Sequence, residues 1–285
     1  MTDDAPTDPF AYCADQVRAA DSDRFATVAF APSRRRPALL ALYAFNLEVA
    51  KTREVVSEPM LGAMRLQWWR ESLDGIYAGT PRRHQVVLAL ADAVRAYDLA
   101  RADFDRLLDA RESDMDDAPP ANLATLEAYA AETAGGLQRL VLQALGARDA
   151  ASQEAAREIG TAWAMVGLLR AVPFHARSRR VYLPADLLRA ARLTPGAVIE
   201  TGPSAALSDV VRQVGAAAAA RLEAARRRRW DLPRHALPGL MLGVLASGYL
   251  KQLRRASWDP FDARVAAPLP SRGWRLLGAR FAGFY

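Results

Sequence analysis

Apolar residues recur every three or four positions along most of the chain, which is the period of an amphipathic α-helix. Valine, isoleucine and threonine rarely cluster, and no stretch alternates apolar and polar residues as a half-buried strand does. Turn-forming prolines and glycines separate the periodic segments. The pattern predicts helices over residues 9–20, 36–56, 60–78, 83–98, 101–113, 123–145, 152–172, 184–192, 207–229, 236–256 and 272–282.

Two of these segments, 36–56 and 152–172, are apolar on nearly all sides. Helices of this kind lie inside a bundle, and a large bundle commonly holds its ligand site between such central helices. No long linker or change in composition divides the chain. The sequence therefore predicts an all-α fold with one domain over residues 1–285, of which residues 1–8 are expected to be flexible.

The composition is that of a globular protein, with 51% hydrophobic and 25% charged residues among 285. The net charge of +6 favours anionic partners such as lipid surfaces, phosphates or nucleic acid. One cysteine excludes a disulfide within the chain, and three widely spaced histidines argue against a zinc site. The apolar run 236–250 is shorter than the roughly 20 residues that span a bilayer, so it predicts a core helix.

The chain start is acidic and poor in apolar residues, which is not the pattern of a signal or transit peptide. Arginine is strongly preferred over lysine and alanine is abundant, as in proteins of GC-rich bacteria. We therefore expect a bacterial cytoplasmic protein.

Several short motifs follow one another in an order that carries information about the fold. They are Pro32–Arg36, Ala41–Phe45, Trp69–Asp74, Tyr77–Gly79, Asp114–Asp116, Leu126–Tyr129, Ala134–Gly135, Leu169–Arg170, Arg180–Pro184 and Pro260–Val265. In this order and spacing they resemble the squalene/phytoene synthase superfamily of head-to-head prenyltransferases over nearly the whole chain. The resemblance implies an isoprenoid (terpenoid) synthase-type helical bundle with a central cavity.

Enzymes of this superfamily ionise an allylic diphosphate, and divalent metal neutralises the charge of that leaving group. The resemblance implies that aspartates four residues apart on two facing helices hold Mg²⁺, which prefers oxygen ligands. In this chain the corresponding positions are Ala50, Lys51, Glu54, Ala171 and His175. Only Glu54 keeps a carboxylate, and the cation of Lys51 would repel a metal ion. The resemblance therefore implies a degenerate site without catalytic residues, metal or cofactor.

The cationic side of the family's site is retained. Arg36, Arg170, Arg180 and Arg264 match positions that lie near the diphosphate or close the cavity mouth in the family, and Lys51 and His175 would add to them. An arginine fork suits phosphate oxygens, so these side chains could bind a diphosphate or an anionic lipid without metal. The other interpretation is that the arginines only hold helices together by pairing with Glu48, Glu54, Asp114 or Asp116.

A narrower resemblance rests on the segments 44–51, 56–58, 61–69, 74–77 and 169–184. They look like the branch that contains the mitochondrial respiratory complex I assembly factor with a squalene/phytoene synthase-like domain. The implied function is assistance in complex I assembly, with complex I subunits or assembly proteins as partners. The alternatives are an active Mg²⁺-dependent prenyltransferase acting on allylic diphosphates and a non-catalytic carrier of an isoprenoid lipid.

Four consecutive arginines, residues 226–229, precede Trp230. At 100° per residue they wrap around a helix, which is typical of a solvated helix end whose negative dipole terminus attracts cations. The alternative is peripheral contact with anionic lipid headgroups at the inner face of the cytoplasmic membrane, with Trp230 at the interface. No recognised nucleic-acid module is present, so nucleic acid is not an expected partner.

Overall fold

A computed structural model describes residues 8–55, 58–283 and 285, except for the side chains of residues 54 and 55. Within these residues the secondary structure is entirely helical, as the sequence pattern predicts. The expected flexibility of residues 1–8 falls outside the described residues apart from Asp8. The Asp8 side chain accepts a hydrogen bond from the Phe10 N–H at 3.1 Å and so caps the first helix.

The helices of the described residues are, in chain order, α1 (Pro9–Ala20), α2 (Ser22–Val28), α3 (Arg36–Ala50), α4 (Thr52–Val55), α5 (Pro59–Tyr77), α6 (Gln85–Tyr97), α7 (Arg101–Glu112), α8 (Leu123–Ala130), α9 (Gly136–Leu145), α10 (Ala150–Arg170), α11 (Val172–Arg177), α12 (Ala185–Ala190), α13 (Pro195–Thr201), α14 (Ala205–Arg227), α15 (Leu237–Leu240), α16 (Leu242–Arg255), α17 (Ala263–Ala266) and α18 (Arg272–Ala282). A π-helical turn, Ala131–Gly135, joins α8 to α9 without a break in the helix path. A 3-10 turn, Ser113–Met115, follows α7.

Two predicted helices end earlier than the apolar pattern suggests. The segment predicted as 36–56 stops at Ala50, where the Lys51 N–H closes the last turn onto the Leu47 carbonyl, and α4 begins separately. The segment predicted as 152–172 stops at Arg170, because Pro173 lacks an N–H and its ring clashes with a continuing helix. The short helices α2, α11, α13 and α17 were not predicted, since they are too short to show a helical period.

The two helices that are apolar on nearly all sides occupy the middle of the bundle, as predicted. In α3, Leu39, Leu42 and Phe45 are buried, and the Phe45 ring meets Trp69 of α5 and Phe104 of α7 edge-on at centroid distances of 5.1 and 5.4 Å. Helix α10 packs against α8, α9, α14 and α16. The C-terminal ends of α3 and α10 are therefore held by neighbours on several sides.

Small residues allow α10 to approach the π-helical turn closely. A Cβ atom at Gly160 would lie 2.3 Å from the Ala134 carbonyl oxygen, and one at Gly135 would lie 3.0 Å from the Arg157 carbonyl oxygen. The distance at Gly160 is far below a normal contact between a carbon and a backbone oxygen, and the distance at Gly135 is slightly below it. The glycines at positions 135 and 160 therefore serve close helix packing.

The apolar run 236–250 is a core segment, as predicted. It forms α15 and most of α16, and a Cβ atom at Gly239 would lie 2.4 Å from the Leu142 side chain on α9. Across the described residues, no helix combines the length and apolarity needed to cross a membrane.

Two glycines of α10 provide a matched test of this packing. We expect Gly160→Ala to lower the free energy of unfolding by about 1–3 kcal/mol, because the backbones of α10 and the π-helical turn must separate. We expect Gly167→Ala to raise it by up to about 1 kcal/mol, because the new methyl group has open space and alanine favours the helix. Urea unfolding measures both, and equal effects of the two substitutions would contradict the close approach.

Candidate functional site

A cavity of about 570 Å³ opens where the C-terminal ends of α3 and α10 meet the segments around them. Its walls come from α3, α4, the end of α7 with its 3-10 turn, α8, α10, α11 and the chain that follows α11. The lining residues are Ala50, Arg53, Arg111, Asp114, Tyr129, Leu168, Phe174, His175, Ser178, Arg180 and Tyr182. The surface therefore combines apolar groups with three arginines and one carboxylate.

A hydrogen-bonded network of three side chains forms one wall of this cavity. Arg111 donates to the Asp114 carboxylate at 3.1 Å and to the Tyr129 hydroxyl at 2.7 Å, and that hydroxyl donates to the other Asp114 oxygen at 2.8 Å. Asp114 is buried, and both of its carboxylate oxygens have a partner. The network therefore leaves this carboxylate already neutralised by a fixed cation.

The same network determines the protonation states of its members. Burial raises the pKa of the Tyr129 hydroxyl well above its usual value, although the neighbouring Arg111 acts in the opposite direction. Burial by itself lowers the pKa of Arg111, but Tyr129 and Asp114 outweigh it and the pKa is raised. Arg111 is therefore a permanent cation, and Tyr129 is a neutral hydrogen-bonding group.

Arg180 ties the chain after α11 to the turn after α7. It donates to the Asp114 carbonyl oxygen at 2.8 Å and to the Asp116 carbonyl oxygen, and it lies 3.6 Å from the Asp117 carboxylate. Arg53 of α4 reaches the same Asp117 carboxylate at 3.2 Å. These contacts bring two arginines from distant parts of the sequence to one edge of the cavity.

His175 lines the cavity beside Tyr182, with the two ring centroids 4.6 Å apart. Burial, assisted by the positive charge of Arg180, lowers the pKa of His175 to about 4. The imidazole is therefore neutral at pH 7. A buried ring next to an arginine does not take up a second positive charge at neutral pH, so the predicted role of His175 in ligand binding would rest on hydrogen bonding and not on charge.

The six predicted ligand-binding residues do not converge on this cavity. His175 and Arg180 line it, whereas Lys51 follows the lining residue Ala50 and does not contribute to the wall. Arg36 lies at the other end of α3, about 21 Å from Ala50 along the helix axis, where it donates to the carbonyl oxygens of residues 29 and 31. Four of the six therefore do not line the cavity.

Arg170 and Arg264 are the other two predicted residues that do not line the cavity, and their partners lie in the C-terminal part of the chain. The Arg170 guanidinium lies over the Tyr249 ring at 3.6 Å and donates to the Val265 carbonyl oxygen at 3.1 Å. Arg264 is exposed and pairs with Asp262 at 2.6 Å. The Arg170 side chain therefore joins α10 to the C-terminal part of the chain, whereas the Arg264 side chain contacts only its near neighbour Asp262.

Sequence reasoning missed Arg53, Arg111, Tyr129 and Tyr182 as lining residues. Tyr129 and Tyr182 stand inside recognised motifs, and Arg111 precedes Asp114 by three residues, which is one turn of a helix. Of the proposed acidic partners, Glu48 pairs with Arg65 at 2.6 Å, and Asp114 pairs with Arg111. Glu48 and Asp114 therefore do form ion pairs, but with Arg65 and Arg111 and not with the four arginines named from the sequence.

The residues at this cavity do not fit a magnesium ion. Ala50 has no side-chain ligand atom, His175 offers a nitrogen, and the one carboxylate of the wall is already bound by Arg111. The side chain of Glu54 falls outside the described residues. Among the described residues no three histidine, cysteine, aspartate or glutamate side chains converge as a metal site would require.

Comparison with known proteins identifies the family behind this architecture. The family described as squalene/phytoene synthase matches residues 17–273. The chain belongs to the squalene/phytoene synthase family. Among solved structures, a dehydrosqualene synthase in complex with ligand superimposes with a TM-score of 0.84 at 19% identity, covering 96% of this chain and 95% of that one. The squalene synthase of Alicyclobacillus acidocaldarius gives a TM-score of 0.78 at 20% identity, covering 89% and 95%. The isoprenoid synthase fold expected from the motifs is thereby confirmed.

Curated relatives within this family fall into two groups. The NADH dehydrogenase (ubiquinone) complex I, assembly factor 6 of Bos taurus is 33% identical over 88% of this chain and 75% of its own length, and that of Homo sapiens is 31% identical over the same shares. The presqualene diphosphate synthase of Rhodopseudomonas palustris is 28% identical over 68% of each chain. The narrower resemblance inferred from the motifs is also confirmed.

Burial of His175 predicts a loss of stability in acid. The folded pKa lies below the unfolded pKa of about 6.5, so the unfolded chain binds more protons as the pH falls. We expect the free energy of unfolding to decrease between about pH 6.5 and 4, by on the order of 2 kcal/mol from this group. His175→Gln removes this part of the decrease, as urea unfolding at several pH values would show.

The variant His235→Gln serves as the control for that measurement, since it leaves His175 in place. We expect it to keep the decrease that His175 causes. If His175→Gln and the unsubstituted protein had the same pH dependence, His175 would not be held neutral by its surroundings.

Proposed function

We propose that this member of the squalene/phytoene synthase family assists the assembly of respiratory complex I and does not transfer prenyl groups. The relatives with 31–33% identity named complex I assembly factor 6 support the assembly role. Complex I subunits or other assembly proteins would then be its partners. We further propose that the protein acts in the bacterial cytoplasm, at the inner face of the membrane that contains the complex.

The composition of the cavity wall carries the proposal that the site is not catalytic. Prenyl transfer in this family requires divalent metal at a diphosphate, and the wall offers one carboxylate, Asp114, that Arg111 and Tyr129 already occupy. Alanines stand at positions 50 and 171, where an active site would present aspartates. A cation such as Arg180 at the same edge disfavours a metal ion by direct repulsion.

The same wall supports binding of an anionic or isoprenoid lipid without metal. Arg53, Arg111 and Arg180 provide fixed positive charge, and arginine forks suit phosphate oxygens. Leu168 and Phe174 provide an apolar surface for a hydrocarbon chain. A volume of about 570 Å³ is within the range of pockets that hold small ligands.

An active prenyltransferase is the second candidate function. It is favoured by the 28% identity to a presqualene diphosphate synthase over two thirds of the chain. This candidate requires carboxylates other than those at the expected positions to hold the metal. A turnover measurement separates it from the first proposal.

The turnover experiment uses purified protein with farnesyl and geranylgeranyl diphosphates and Mg²⁺, with and without NADPH. We expect no diphosphate release and no lipid product by mass spectrometry, while an active family member assayed in parallel gives both.

Calorimetry with farnesyl diphosphate in the absence of metal tests the lipid proposal. We expect saturable binding that Arg180→Ala weakens about tenfold, because a charge-assisted hydrogen bond is lost. Diphosphate release above a no-protein blank would establish the second candidate.

The assembly role is tested by deleting the gene in its host. We expect the amount of intact complex I on native gels and the NADH:quinone oxidoreductase activity of membranes to fall, and the unsubstituted gene to restore both. Arg83→Ala, an exposed substitution away from the cavity, is the matched control for Arg180→Ala in the complementation. Normal complex I in the deletion strain would contradict the proposal.

A further inference from the structure

Three large aromatic side chains lie almost fully in solvent. Trp230, Trp274 and Phe281 are 83%, 77% and 81% exposed. Single exposed apolar residues are common, but three rings at this level of exposure are not explained by packing. Trp230 follows α14, and the other two stand on α18.

The aromatic residues of α18 form a stripe on its outer side. Trp274, Gly278 and Phe281 are spaced by four and three residues and are all exposed, whereas Leu276 and Ala279 on the opposite side are buried. The helix therefore presents large apolar groups both to the core and to solvent. An ordinary surface helix would place polar residues on its outer side.

A shallow depression joins this stripe to the chain after α14. Trp230, Arg234, Arg280 and Phe281 are among the residues that line it, and its volume is about 570 Å³. Trp230 and Phe281 thus border the same depression as the two arginines, and Trp274 lies two helical turns before Phe281 on the same side of α18. We call this surface, defined by Trp230, Arg234, Trp274, Arg280 and Phe281, the aromatic–arginine face.

The charge of the aromatic–arginine face and its borders is strongly positive. Helix α18 contains arginines at 272, 275 and 280 and no acidic residue, and Asp231 is the one acid between residues 226 and 235. In the described part of the chain, Arg227, Arg228, Arg234 and Arg280 take part in no ion pair. Their charge is therefore available to an external anion.

We propose that the aromatic–arginine face docks the protein onto the surface of an anionic phospholipid bilayer. Indole and phenyl rings enter the boundary between headgroups and acyl chains, where tryptophan is favoured, while arginines contact the lipid phosphates. The Arg229 guanidinium already lies over the Trp230 ring at 4.7 Å, so the cation and the ring can reach this boundary together.

The positive charge argues against the other occupants of such a face. A second copy of the chain would bring arginines against arginines, so self-association through this face is disfavoured. A nucleic acid would neutralise the arginines, yet a duplex backbone would leave the indole and phenyl rings of Trp274 and Phe281 in water. A bilayer with acidic headgroups satisfies both kinds of side chain.

The proposal goes beyond the function proposed above, since it concerns a surface outside the cavity and requires no complex I subunit. Its test uses purified full-length protein and vesicles alone. Co-sedimentation measures the affinity for vesicles of phosphatidylcholine with and without about 30 mol% phosphatidylglycerol. We expect the affinity for the anionic vesicles to be higher by about tenfold or more, and to decrease as salt is added.

Two pairs of variants separate the aromatic and the charged contributions. Trp274→Ala with Phe281→Ala, and Arg234→Glu with Arg280→Glu, should each reduce the affinity for anionic vesicles by on the order of tenfold. The matched controls are Met60→Ala with Met64→Ala, which are exposed apolar residues of α5, and Arg83→Glu with Arg189→Glu, which change the net charge equally. The controls should retain the affinity.

Three outcomes would overturn the proposal. The first is absence of binding to anionic vesicles, and the second is an equal loss in the control variants. The third is a different occupant, seen as a dimer in light scattering or as binding of an RNA oligonucleotide that the Trp274→Ala, Phe281→Ala variant abolishes. None of these outcomes would bear on complex I levels in the deletion strain, so the two proposals can fail separately.

Discussion

The arrangement of the bundle depends on a tight backbone contact between α10 and the π-helical turn, where the Ala134 carbonyl occupies the place that any Cβ at position 160 would take. This contact fixes how closely the two partners pack. Helix α10 delivers Leu168 to the cavity, and the helix that runs into the π-helical turn delivers Tyr129. The Tyr129 carbonyl in turn accepts a hydrogen bond from the Thr133 hydroxyl at 2.7 Å, which holds the turn to the preceding helix. The shape of the cavity therefore follows from backbone packing.

The charged side chains of the cavity wall then limit which ligands fit the cavity. The charge of the buried Asp114 carboxylate is matched by Arg111, and burial lowers the pKa of His175, so its imidazole adds no charge at pH 7. What remains is a wall with permanent guanidinium charge beside apolar side chains.

The long helices and the two central segments could be predicted from the sequence, because each depends on the spacing of apolar residues along one segment. The cavity wall could not. Arg36, Arg170 and Arg264 match family positions, yet their side chains go to Ala31, Tyr249 and Asp262. A long arginine reaches several partners, and the choice between them depends on which helix ends are brought near. Arg53 and Arg111 reach the cavity for the same reason, and no local pattern distinguishes them.

The bonds of Arg180 to the carbonyl oxygens of Asp114 and Asp116 join parts of the chain that are 66 and 64 residues apart. The other cavity walls extend this separation to Ala50 at one end and Tyr182 at the other. Contacts of such long sequence separation form late in folding, because the loop between them must first be closed. On the ribosome the cavity wall therefore cannot close until residue 182 has emerged, so Arg53 and Arg111 are synthesised well before Arg180 joins them.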